Sequence, residues 1–182
     1  MEDKEKGSSS WIEASERGLA LGMLSVCCLA LKQLATGIES ALVQNGAGII
    51  LWVIEFFGCI LLLRRAMLLH VGEPADPEAG YDLLERYDMY RFGRRVCTCS
   101  SFIMAAATTF LVVYVPGNIF STAFQESLEM MGGSLALPDG MVLEDRPGLV
   151  FISQFLYCWI YGSILSAILS RPFKVIKITP EQ

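Results

Sequence analysis

Four long apolar stretches, at 18–43, 48–69, 96–115 and 149–170, decide most of what this chain can fold into. Each is close to the ~20 residues a helix needs to cross a hydrocarbon core of ~30 Å. The reading is an all-α, four-helix polytopic membrane protein, arranged as an antiparallel bundle or as paired transmembrane hairpins. Little sequence remains between the spans, too little and too broken for a second domain of ordinary size. The chain of 182 residues is therefore treated as one membrane domain, 1–182.

The distribution of charge orients the spans. Of the 14 Lys and Arg, three groups hold all but Lys32 and Arg146. Lys4, Lys6 and Arg17 precede the first span. Arg64, Arg65, Arg86, Arg91, Arg94 and Arg95 separate the second from the third. Arg171, Lys174 and Lys177 follow the fourth. Basic connections stay on the cytoplasmic or matrix side. The expectation is that both ends and the second connection share that side, with the acidic 116–148 connection opposite. No organelle address is legible in these residues, and the setting carried forward as an expectation is the mitochondrial inner membrane. The net charge of −5 speaks against nucleic acid as a partner.

The N-terminal stretch Met1-Glu2-Asp3-Lys4-Glu5-Lys6 is rich in acid, unlike a cleavable signal or a transit peptide. With Gly7-Ser8-Ser9-Ser10 it reads as a flexible tail, 1–10. Gly18-x-x-x-Gly22 on the first span and Gly162-x-x-x-Ser166 on the fourth place small residues at the spacing that lets helix backbones approach closely in lipid. The turn between the first two spans is expected at Asn45-Gly46-Ala47-Gly48. Residues 81–95 read as an amphipathic surface helix, with Asp82 and Arg86 spaced as an i,i+4 pair. Residues 118–131 read as a second one, capped by Asn118.

Six cysteines occur, all of them in or beside the spans. Most read as small core residues. Cys97 and Cys99 directly follow Arg94-Arg95, where S-palmitoylation takes place on the basic face. Neither the cysteines nor the single His70 has metal-ligand spacing, and no cofactor or metal is expected. His70 is read as facing headgroups.

Charge inside the spans is the feature that invites a function. An ionisable group at the bilayer centre costs at least ~2.5 kcal/mol, so it is normally paired or turned into the bundle. Lys32 and Glu39 lie on the first span and Glu55 on the second. Three readings compete. Lys32 and Glu55 form a structural ion pair; or the polar stripe lines a path for protons, ions or a small solute; or Lys32 and Glu39 snorkel outward and only Glu55 is buried.

Catalytic motifs are absent: no phosphate-binding loop, no zinc-protease helix and no nucleophile elbow. The expectation is a non-catalytic accessory or scaffold subunit of a larger membrane complex. Its partners are the lipid bilayer and other membrane subunits, and an energy-converting, respiratory-type complex is a plausible setting. The alternative is a small oligomeric channel or transporter using Lys32, Glu39 and Glu55.

Overall fold

The structure is a computed structural model and describes residues 2–38, 40–74, 80–121 and 146–171. The regular structure among these residues is helical, with no strand. Four helices are long and apolar enough to cross a membrane. They are α1 (Glu2–Ala35), α2 (Ala41–Val71), α3 (Leu83–Tyr114) and α4 (Pro147–Leu169). At 1.5 Å per residue, α4 is about 35 Å long, close to a bilayer core, while the other three exceed 45 Å.

Most of the extra length lies at one end. Gly18 of α1 abuts Val96 and Cys99 of α3, and Glu13 of α1 meets His70 of α2. These contacts bring Arg17, Arg64-Arg65 and Arg94-Arg95 to about one level, with Arg171 just past the end of α4. From that level to Ala35, α1 rises about 27 Å. Below it α1, α2 and α3 all continue, and there the best-packed core is found. Leu63, Ala66, Met67, Met89, Phe92 and Val96 are nearly or fully buried, with Ala14, Leu21 and Cys97 completing a cluster that reaches up through the arginine level. His70 stacks on Phe92 with ring centres 3.9 Å apart, and its Nδ1 lies 2.9 Å from Glu13 Oε2. His70 is thus part of the helix packing and does not face headgroups as expected.

Helix α3 is the hub. It packs along α1 on one side and α4 on the other and also touches α2, whereas α2 and α4 barely meet. Small residues make the close approaches. A Cβ at Gly18 would sit 2.6 Å from Cys99 Cβ, one at Gly22 would sit 3.0 Å from Ile103, and one at Gly162 would sit 2.6 Å from Cys97 Cβ. Gly93 of α3 is closed over in the same way by Ser166 of α4.

Several local expectations are corrected. The turn between the first two spans lies at 36–40, not at Asn45–Gly48. Thr36, Gly37 and Ile38 donate to the carbonyls of Gln33, Leu34 and Ala35, a tighter winding that ends α1. Asn45, Gly46 and Gly48 instead lie within α2, where nothing crowds either glycine within 4 Å. The pairing of the two helices is nevertheless that of a later turn: Leu24 lies on Gly58 and Ser25 on Cys59. That register leaves about two turns of α2 overhanging the end of α1.

Residues 81–95 are not a separate surface helix. They form the first half of α3, because nothing between Arg91 and Val96 breaks it and Gly93 is locked by packing. Asp82 starts the helix with a capping box: its Oδ1 accepts from the Glu85 N–H at 2.7 Å, and Glu85 Oε2 accepts from the Asp82 N–H at 2.9 Å. Arg86 donates to the Tyr81 carbonyl instead of pairing with Asp82. The stretch expected as a flexible tail is helical from Glu2 onward.

Asn118 does cap a helical start. It is fully buried, and its Oδ1 accepts from the N–H groups of Phe120 and Ser121 at 3.2 and 2.9 Å. Beyond residue 121 the surface helix expected to reach 131 lies outside the described residues.

Candidate functional site

The near-absence of contact between α2 and α4 opens a cleft with α1 and α3 as its floor. The cavity is about 360 Å³. Trp52 and Phe56 of α2 and Tyr157 and Tyr161 of α4 line its walls, and its end toward the arginines is closed by Leu21, Leu63, Cys97 and Leu165. Beyond that closure Met67, Phe92 and Val96 leave almost no exposed area.

Lys32 and Glu55 meet inside this cleft. Lys32 Nζ donates to Glu55 Oε2 at 2.5 Å, and the two side chains are 24% and 22% exposed. Lys32 also borders a second, more open cavity beneath the overhanging turns of α2, lined by Thr36, Gln44, Asn45 and Ile119. The pair therefore stands between the cleft and the end of the bundle opposite the arginines. Glu39 lies outside the described residues.

Other polar groups gather in the cleft that the sequence did not single out. Gln154 of α4 and Ser100 and Ser101 of α3 line it beside Ser25 and Cys59. The Gln154 amide makes only a weak contact, 3.4 Å, to Cys158 Sγ. Ser100 and Ser101 are 9% and 2% exposed, and neither hydroxyl has a hydrogen-bond partner among the described residues. The signal was available, since each is a polar residue within an apolar span, the same ground on which Lys32 stood out.

The remaining site residues serve packing. Gly18 and Gly22 receive α3, and Gly162 receives Cys97. Ser166 is fully buried, donates to the Gly162 carbonyl at 2.8 Å and lies 3.6 Å from Cys97 Sγ. Cys97 is only 3% exposed; its thiol points into the α3–α4 contact, 3.5 Å from the Gly162 carbonyl. The palmitoylation expected at Cys97 would therefore meet a buried thiol; two residues along, the same helix faces another neighbour. Cys99 is half-buried, with its Cβ against Gly18.

At the arginine level the guanidinium groups lie over aromatic faces. Arg95 sits 5.1 Å from the Trp11 ring centre and Arg94 5.5 Å from that of Trp159. Such contacts hold a cation at the edge of an apolar layer. No group of three or more His, Cys, Asp or Glu among the described residues is arranged to hold a metal ion. No protein-family model, no curated protein and no solved structure matches the chain.

Proposed function

We propose that this protein is a non-catalytic integral membrane subunit that packs within a larger membrane assembly. The observation that carries this reading is the closure of the cleft. The polar groups reach the cavity but stop at Leu21, Leu63, Cys97 and Leu165, backed by the buried Met67, Phe92 and Val96. A route for ions or solutes through one copy needs polar lining along its whole length, and this one ends on apolar side chains.

Two further features support packing over chemistry. Small residues occupy the close helix contacts. The outward faces of α2 and α4 are broadly apolar, with Leu42, Ile49, Leu61, Ile152 and Ile164 all more than half exposed, as suits lipid or neighbouring spans. By the distribution of arginine and lysine, both ends face the cytoplasm or matrix. Respiratory-type complexes, which gather small helical subunits, are the assemblies in which to look first.

The test is native mass analysis of the protein extracted in mild detergent from its own membrane. Stable co-purification with several different membrane chains is expected. A homo-oligomer that carries solute in liposomes would overturn the proposal in favour of a channel built around Lys32 and Glu55.

A further inference from the structure

The cleft between α2 and α4 has the character of a ligand site as well as of a packing defect. Its volume, about 360 Å³, lies within the range of small-molecule pockets. It lies between two helices that barely touch, so entry from the lipid phase needs no rearrangement of the bundle.

The polar lining is under-used. Lys32 spends one of its three donors on Glu55. Glu55 Oε1 and the Gln154 carbonyl accept no hydrogen bond among the described residues. Ser100 and Ser101 are more than nine-tenths buried, line the cavity, and their hydroxyls have no hydrogen-bond partner among the described residues. A serine within a helix commonly donates to the carbonyl four residues back, as Ser166 does to Gly162. A hydroxyl that faces a cavity and makes no such bond keeps its donor and acceptor free for a group entering there.

We infer that this cleft binds a neutral lipid with a hydroxylated head, of the monoacylglycerol type. Three features select that chemistry. The paired Lys32 and Glu55 give the site no net charge, so a carboxylate or phosphate would meet Glu55 and a cation would meet Lys32. The unused positions include donors on Lys32 and the serines and acceptors on Glu55 and Gln154, which a head carrying several hydroxyls and an ester carbonyl can meet together. The aromatic walls, Trp52, Phe56, Tyr157 and Tyr161, suit the acyl chain.

The experiment uses the full chain in phosphatidylcholine vesicles with two photoreactive probes of equal chain length, a monoacylglycerol and a fatty acid. The monoacylglycerol is expected to label cleft-facing peptides of α2 and α4 saturably, and excess unlabelled monoacylglycerol to remove that labelling. Ser101→Leu, which fills the cavity, should weaken it about tenfold, equivalent to ~1.4 kcal/mol of binding. In the unaltered chain, where folding is not in question, monoacylglycerol should also slow N-ethylmaleimide attack on Cys158 while the fatty acid does not. Labelling spread over all four helices in proportion to their exposure, without saturation, would overturn the inference and leave the cleft to water or bulk lipid. Equal protection of Cys158 by both probes would overturn the neutral-head requirement.

Discussion

Removing one member of the Lys32–Glu55 pair should cost far more than removing both. The two side chains are each about three-quarters enclosed. Breaking a fully buried pair costs about 3–5 kcal/mol, because the survivor remains charged and unpartnered. A water-exposed pair is worth about 0–1 kcal/mol. The exposed quarter of this pair faces a cleft walled by aromatic side chains and open toward lipid, so the buried figure applies with a modest discount. Lys32→Leu and Glu55→Leu should each destabilise by about 2–4 kcal/mol. Lys32→Leu with Glu55→Leu should return to within about 1 kcal/mol of the parent, since two apolar residues of similar volume need no partner. Exchanging the charges, Lys32→Glu with Glu55→Lys, should recover part of the loss as well. Unfolding by sodium dodecyl sulfate in mixed micelles, followed by far-ultraviolet circular dichroism, gives the four corners of the cycle. Simple addition of the two single losses would refute the reasoning and show that the pair contributes nothing in the folded membrane protein.

Glycine substitutions should separate by their surroundings. Gly18→Ala and Gly162→Ala place a methyl group 2.6 Å from a Cβ of α3, and each should cost about 1–3 kcal/mol in the same unfolding assay; Gly46→Ala meets nothing within 4 Å and should stabilise α2 by up to about 1 kcal/mol. Equal effects at all three sites would contradict the packing described. At the start of α3, Asp82→Ala removes the capping carboxylate and should lower stability by about 0.5–2 kcal/mol, with faster hydrogen exchange at the Glu85 and Arg86 amides as its local signature. Unchanged exchange there would mean that the capping box does not hold the helix end.

The ion pair shows why a sequence can be right about a contact while misplacing the turn that makes it. Length and hydropathy were enough for the four spans, because the cost of exposing apolar surface to water, or polar backbone to lipid, is summed over some twenty residues and outweighs any single side chain. The same additivity marked Lys32 and Glu55 as needing partners. Local signals were weaker. Asn45-Gly46-Ala47-Gly48 carries turn chemistry, yet these residues continue α2, because neighbouring helical residues outweigh a glycine cost of about 1 kcal/mol each. The break fell at Gly37, and the overhang of α2 past the end of α1 goes with the register that brings Lys32 to Glu55.

Continuity of α3 through Gly93 was equally hidden, since only Ser166 and Met67 packed around that glycine show why the helix does not end there. The cleft itself could not be read from one dimension. It exists because α3 makes intimate contacts with both α1 and α4, through Gly18, Gly22, Gly93 and Gly162, and so holds α4 away from α2. Composition supplied the polar residues, one or two to a span. Whether Ser100, Ser101, Gln154 and Glu55 would face lipid, a neighbour or one another depended on the rotation of each helix about its axis. That rotation is set by which small residues meet across the bundle, a property of pairs of helices and not of any segment alone.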